Sequence, residues 1–258
     1  MKLKFCVPSL DQVFETTLWT QLDDVSPFWR DQLYIEYPEI NKEKAMFLSE
    51  KKRMDYLRDE LGKIYRGNLE KFHELSLTWQ KYWDNHVTNI ESALSAAYEI
   101  DLGQLLNDCV GYVNLNPVCP RYLDSHTFYV FYKMKPDRVL RTSLHEIMHF
   151  LWFYKWQEHF HDNPQEYDIP HLKWIFSEMV QDTMVRDTPI APLFDGRESA
   201  YDYFYTMEIA GAPILSTLSE CYKNSGLIGL FENGYAYCQK HEDEIRAKIK
   251  EAEKQKKY

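Results

Sequence analysis

The chain has 258 residues, of which 45% are hydrophobic, and 30 basic against 40 acidic residues give a net charge of −10. This length is enough to bury a substantial core in one domain. The negative charge, without a basic stripe interleaved with aromatic residues, argues against a nucleic-acid partner. The sequence contains no apolar run of the length that a membrane span needs, so we expect no membrane association.

Cysteine usage and the N-terminus favour a cytoplasmic protein. The five cysteines are odd in number and show no Cys-x-x-Cys spacing, a pattern typical of reduced thiols. The segment Met1 to Pro8 lacks the apolar run of a signal peptide. We therefore expect cytoplasmic localisation, and the sequence indicates no oligomeric state.

The N-terminal region is predicted to be helical. Residues 41–66 and 68–98 have the apolar spacing of two long amphipathic helices, with Arg66-Gly67 as the break between them. We expect these helices to form a hairpin. On this basis residues 1–100 form an N-terminal helical region, either separate from residues 101–258 or continuous with them.

Two strands are predicted next. Residues 112–116 and 125–133 are rich in aromatic and β-branched residues, which favour strands. They predict a small mixed or antiparallel sheet within an α+β, mostly helical fold. The edge of that sheet could pair with an extended peptide. A buried strand without ligand contact is equally consistent, because aromatic residues fall on both faces of residues 125–133.

The stretch His145-Glu146-Ile147-Met148-His149 is the most informative part of the chain. Histidines four residues apart share one face of an α-helix, so both imidazoles can bind one metal ion. The glutamate between them then points beside the metal, where a general base is useful. A helix is favoured because Pro136 suits a first turn and the apolar residues cluster away from the histidines. Those apolar residues are Leu140, Leu144, Ile147, Met148 and Leu151.

A catalytic zinc ion usually has three protein ligands, so a third ligand should follow this motif. The metzincin continuation is excluded, because Trp152 and Lys155 stand where that class has glycine and histidine. His159 and His161 lie about two to three turns beyond His149, too far along a continuous helix to share its metal.

Glu178 is the better candidate for the third ligand. A second helix is predicted to start near Pro170, and Glu178 and Asp182, four residues apart, share one of its faces. A carboxylate one turn after a ligand is useful, because a ligand histidine needs an acceptor for its other ring N–H. His171, on the same helix, is expected to be a capping or surface residue.

The pair His145-Glu146-x-x-His149 and Glu178-x-x-x-Asp182 resembles the gluzincins, the thermolysin-like zinc metallopeptidases, over residues 136–187. The resemblance implies that His145, His149 and Glu178 bind Zn²⁺ and that Glu146 is the general base. It also implies that Asp182 accepts a hydrogen bond from a ligand histidine, most simply His145.

One departure from the thermolysin pattern concerns the gap between His149 and Glu178, which is longer in this chain. An insertion that contains His159, His161 and Asn163-Pro164 should therefore separate the two helices. The departure affects the shape of the connecting loop and leaves the ligand types unchanged.

The resemblance implies a zincin-like catalytic core within residues 101–258. The expected activity is hydrolysis of peptide bonds in a peptide or protein substrate by a zinc-activated water, with Glu146 accepting the proton. The oxyanion that forms needs a further donor. Tyr203 is the preferred donor, with Tyr201 and Tyr205 beside it as alternatives. Two further alternatives, His126 and Arg141, lie upstream.

A different class of function stays open. The chain could keep the zincin fold and its metal but act as a binding or regulatory protein. Glu146 argues against this alternative, because a structural site needs no carboxylate beside an open coordination position. The last stretch, His241 to Tyr258, is almost wholly charged and predicts a solvated helix or a frayed tail.

Overall fold

The computed structural model describes residues 1–255, apart from the side chain of Gln104. Within this range the chain is mostly helical, with a mixed four-stranded sheet and a separate antiparallel strand pair. It divides into two compact units, each formed from two stretches of sequence. Unit 1 contains Met1–Asn85 and Leu106–Ser143, and unit 2 contains His86–Leu105 and Leu144–Gln255. Among residues 1–255, no helix combines the length and the apolarity that a membrane span requires.

The sheet of unit 1 confirms both predicted strands and adds two more. Its strands are β1 (Leu3–Cys6), β2 (Cys109–Asn114), β3 (Arg121–Tyr122) and β4 (Thr127–Phe131), in the order β1-β2-β4-β3. The neighbours β1, β2 and β4 are parallel, whereas β3 is antiparallel to β4. The sequence predicts either a mixed or an antiparallel sheet, and the observed sheet is mixed.

Close packing explains why a glycine lies in the middle of β2. A Cβ atom at Gly111 would lie 2.9 Å from the Phe5 ring and 3.0 Å from the Phe128 ring. Both distances are shorter than carbon atoms tolerate. The missing side chain therefore lets rings from β1 and β4 pack over the centre of the sheet.

The helices predicted over residues 41–66 and 68–98 are shorter than expected, and their packing as a hairpin stays a prediction. The helices of unit 1 are α1 (Leu10–Leu18), α2 (Pro27–Arg30), α3 (Gln32–Glu36), α4 (Lys42–Phe47), α5 (Glu50–Gly67) and α6 (Leu69–Asp84). The break at Arg66-Gly67 is confirmed, since α5 ends at Gly67. The prediction of one continuous helix over residues 41–66 is wrong, because Leu48 has an extended conformation (φ −80°, ψ 150°) between α4 and α5.

Unit 2 is built mainly from helices. They are α7 (Val87–Tyr98), α8 (Leu102–Leu105), α9 (Pro136–Phe160, in this unit from Leu144 onward), α10 (Leu172–Arg186), α11 (Ala191–Phe194), α12 (Asp202–Tyr205), α13 (Ile214–Gly229), α14 (Tyr235–Lys240) and α15 (Glu242–Gln255). A π-helical turn, Leu230–Gly234, joins α13 to α14, and β5 (Glu208–Ile209) pairs with β6 (Ala212–Pro213). The predicted helix over 68–98 is therefore split into α6 and α7.

Helix α9 confirms the prediction around the motif. It begins at Pro136, and the five apolar residues expected to face the core are at most 7% exposed. In unit 2, Trp152 of α9 packs edge-to-face on Phe176 of α10 (ring centroids 5.6 Å apart) and on Phe231 (4.8 Å). Aromatic packing of this kind fixes α9 beside α10.

Helix α10 is buried on every side. It begins at Leu172 after the N-cap His171, slightly later than the start predicted at Pro170. Every residue from Leu172 to Val185 is buried except Trp174. Glu178 and Asp182 therefore lie in the interior, where a carboxylate is costly unless it has partners.

Candidate metal centre

The two motif histidines converge on one point. Their Nε2 atoms are 3.1 Å apart, and their rings lie at 79° to each other with centroids 4.7 Å apart. The side chain of His149 is fully buried and that of His145 is 22% exposed. The spacing of four residues on α9 has thus placed both imidazoles around one position, as the sequence predicts.

Glu178 completes a triangle of three side chains with these histidines, in which each histidine contacts a different carboxylate oxygen. Its Oε1 atom lies 3.3 Å from Nε2 of His149, and its Oε2 atom lies 3.3 Å from Nε2 of His145. Burial by itself would raise the pKa of Glu178, but the two histidines outweigh it and hold this pKa well below its usual range. Glu178 is therefore an anionic carboxylate that faces both imidazoles.

Glu146 lies in the same cluster. His145, Glu146 and His149 each offer a donor atom within 4.8 Å of the other two, so this group could hold a metal ion. Both histidines also contact Glu178, each at 3.3 Å. We take Glu178 as the ligand carboxylate because it contacts both histidines, which leaves Glu146, 6% exposed, beside them.

The triangle fits a small divalent cation. A tetrahedral Zn²⁺ with ligand bonds of about 2.0–2.1 Å would separate its ligand atoms by about 3.3–3.4 Å. The Nε2–Nε2 distance of 3.1 Å and the two Nε2–O distances of 3.3 Å, which end on different oxygens of Glu178, agree with this value to within a few tenths of an ångström. Two imidazole nitrogens and a carboxylate oxygen are also a donor set that zinc accepts.

Asp182 has partners other than those that the resemblance implies. Its Oδ1 atom accepts a hydrogen bond from the Tyr205 hydroxyl at 2.8 Å, and its Oδ2 atom lies 2.5 Å from Nη2 of Arg186. Burial raises the pKa of Asp182, and Tyr205 and Arg186 offset this only in part. Within residues 1–255 the contacts of Asp182 are thus with a tyrosine and an arginine, which argues against the predicted hydrogen bond to His145.

The three neighbouring tyrosines differ in their surroundings. Burial raises the pKa of Tyr203, and the charges of Glu178 and Glu253 raise it further. Tyr201 stacks on Tyr203 with ring centroids 5.5 Å apart. The Tyr205 hydroxyl is used in donating to Asp182 and in accepting from the backbone N–H groups of Ser199 and Ala200. Of the three, Tyr203 therefore best matches the predicted donor.

The other two residues predicted as possible oxyanion donors, Arg141 and His126, belong to unit 1. Arg141 forms an ion pair with Asp137, 3.1 Å away and one turn earlier on α9. His126 precedes β4 in a left-handed conformation (φ 48°), and burial lowers its pKa.

The histidines that follow the motif do not join the triangle. His159 lies near the end of α9, and its Nε2 atom is 3.3 Å from Oε1 of Glu232. His161 lies past the end of α9, and His171 is the exposed N-cap of α10, as expected for a capping or surface residue. These positions agree with the distance argument made from the sequence.

Comparison of the chain with protein-family models, with curated proteins and with solved structures finds no match. Function has to be inferred from the chemistry of these residues.

Proposed function

We propose that the protein is a zinc-dependent peptidase of the gluzincin type, in which His145, His149 and Glu178 bind one Zn²⁺. The observation that carries this proposal is the triangle of side chains from α9 and α10, with 3.1 Å between the two imidazole Nε2 atoms and 3.3 Å from each of them to one oxygen of Glu178. Three protein ligands leave a tetrahedral ion one open position, the arrangement of catalytic rather than structural zinc. When bound, zinc would polarise a substrate carbonyl and acidify water.

Glu146 is the proposed general base. It belongs to the cluster but is not part of the triangle, and it is only 6% exposed. A carboxylate in this position can accept a proton from the attacking water and deliver it to the departing amine. Exclusion of bulk water strengthens such a proton transfer, because no competing solvent surrounds the carboxylate.

Tyr203 is the proposed donor to the oxyanion. Its pKa is raised by burial and by Glu178, so the phenol keeps its proton at neutral pH. A neutral hydroxyl can donate a hydrogen bond to an oxygen on which negative charge develops. Tyr205 is less suitable, since its hydroxyl already donates to Asp182.

The alternative is a binding or regulatory protein that uses the metal site without catalysis. Glu146 favours the enzyme, since a purely structural site gains nothing from a buried carboxylate beside its ligands. Metal analysis of the purified protein, followed by digestion of a mixed peptide library, separates the two functions. The proposal predicts one zinc per chain, and cleavage that stops with a chelator and returns with added Zn²⁺. One zinc per chain with no cleavage of any peptide would favour the alternative.

A further inference from the structure

A partly buried group of charged and polar side chains joins the end of α9 to the start of α10, with side-chain exposures of 10% for Lys173, 24% for Asp162 and 45% for Glu166. The Nζ atom of Lys173 lies 2.5 Å from Oδ2 of Asp162 and 2.5 Å from Oε2 of Glu166. Lys173 is only 8% exposed. Asp162 and Tyr167 lie between α9 and α10, and we call Asp162, Tyr167 and Lys173 the brace.

Asp162 is the centre of the brace. Besides its ion pair with Lys173, it accepts hydrogen bonds from the Trp156 indole N–H at 2.9 Å and from the Tyr167 hydroxyl at 2.7 Å. Trp156 belongs to α9 and Lys173 to α10, while Tyr167 lies in the turn between them. One carboxylate thus ties together both helices and their connection.

Stability alone is a poor explanation for this arrangement. Burying the Lys173 charge is costly, and replacing a buried ion pair by well-packed hydrophobic residues is often neutral or stabilising. Lys173 also lies in the first turn of α10, where the helix dipole disfavours a cation. Such a group can serve instead to fix one geometry among several.

The brace reaches the metal centre by two routes. The Tyr167 ring stacks on Phe153 at 4.4 Å, and the Phe153 ring in turn lies parallel to His149, 6.4 Å away, with interplanar angles of 16° in both pairs. All three residues are at most 3% exposed. On the other side, Lys173 lies on the same buried helix as Glu178, about one and a half turns earlier.

We propose that Asp162 and Lys173 are positioning residues for the metal centre, which hold α9 and α10 at the spacing where His149 and Glu178 share one cation. The inference rests on the proposed function only in taking His149 and Glu178 as metal ligands. It does not depend on the reaction that the site performs.

The test compares zinc affinity with stability in the full chain. Asp162→Asn combined with Lys173→Met removes both charges of the pair, and competition with a chromophoric chelator then gives the zinc dissociation constant. We expect affinity to fall by about 10–100-fold, as it does when residues that orient ligands are lost. Urea unfolding of the metal-free protein should show stability close to that of the unmodified protein, a combination that a merely structural role would not produce.

Two further variants serve as controls. Lys173→Arg, as a single substitution, keeps the positive charge and should retain most of the zinc affinity. Lys155→Met removes a more exposed ion pair on α9, in which Nζ of Lys155 lies 2.9 Å from Oε2 of Glu158. This variant should leave zinc affinity unchanged. A folded double variant with unaltered zinc affinity would overturn the inference.

A variant that keeps both charges covers the case in which the double variant does not fold. Tyr167→Phe keeps the stacked ring but removes the hydroxyl that contacts Asp162 and Gln157. It should weaken zinc binding several-fold, and unchanged affinity would contradict the brace. If the unmodified protein binds no zinc, or His149→Ala binds it equally well, the proposed function itself fails.

Discussion

The Nε2 atom of His149 lies 3.3 Å from Oε1 of Glu178, although the two residues belong to different helices. Both side chains are almost completely buried, with exposures of 0% and 3%. Burying an imidazole against a carboxylate is costly unless both have partners. A cation held between them and His145 would compensate that cost, which makes this contact the centre of the functional proposal.

The first prediction concerns Glu146. Glu146→Gln preserves the shape of the side chain but cannot accept a proton, so kcat/KM on an identified peptide should fall by about 10²–10⁴-fold. Zinc content should stay at one per chain, because Glu146 lies outside the ligand triangle. Near-normal hydrolysis by the zinc-loaded glutamine variant would rule out Glu146 as the base.

The second prediction concerns Tyr203. Tyr203→Phe removes the proposed donor to the oxyanion and should lower kcat by about 10²–10³-fold with little change in zinc affinity. Tyr201→Phe is the matched control, since it keeps a ring that can stack on residue 203 and should retain activity. If the two variants are equally active, Tyr203 is a packing residue.

The third prediction concerns Asp182. If Asp182 oriented His145, Asp182→Asn would weaken zinc binding by about 10–100-fold. Because the structure gives it Tyr205 and Arg186 as partners, we expect a change below about three-fold, within what distant substitutions produce. Chelator competition measures the difference. A loss of ten-fold or more would show that Asp182 does support a ligand histidine.

The fourth prediction concerns pH and the brace. Burial opposes the Asp162 charge, but Lys173, Trp156 and Tyr167 favour it and lower the pKa of Asp162 below its ordinary value of 3.8. Burial likewise opposes the Lys173 charge, yet Asp162 and Glu166 raise the pKa of Lys173 above 10.5. An acid whose pKa is lowered by folding stabilises the fold at pH values above its pKa in the unfolded chain. A base whose pKa is raised by folding stabilises it at pH values below its pKa in the unfolded chain.

The stability difference between the unmodified protein and the doubly substituted variant should therefore be small and constant across neutral pH. It should shift against the unmodified protein as pH falls below 3.8 through the folded pKa of Asp162 and as pH rises above 10.5 through that of Lys173. Urea unfolding of the metal-free protein, compared with the doubly substituted variant across pH, measures it. A difference that changes steadily between pH 5 and 9 would contradict the assignment.

Sequence patterns predict the parts of this fold that depend on local spacing. Helix α9 follows from Pro136 and its apolar periodicity, and Glu178 follows from ligand chemistry on a second helix. Strand β1 was missed because its pairing with β2 joins Leu3 to Cys109, a relationship that no local window contains. The brace was missed for a similar reason, since the burial of Lys173 depends on the packing of α9 against α10.

The partners of Asp182 show the limit of reasoning from spacing. Its position four residues after Glu178 predicts a shared helical face, and both carboxylates are indeed buried on α10. The spacing of residues on one helix cannot indicate which side chain from another element will contact Asp182. Tyr205 reaches Asp182 from α12, and only the tertiary structure provides that contact.

The most direct test of the account is the zinc content of single-ligand variants. After dialysis against trace chelator, elemental analysis should find one zinc per chain in the unmodified protein. Less than about a tenth of that amount should remain in His149→Ala and Glu178→Gln, because loss of a ligand weakens binding well beyond the 10–100-fold that orienting residues cost. His159→Ala, which removes a histidine of the same helix that pairs with Glu232, should keep its zinc. Full zinc retention in His149→Ala and Glu178→Gln would contradict the proposed metal centre.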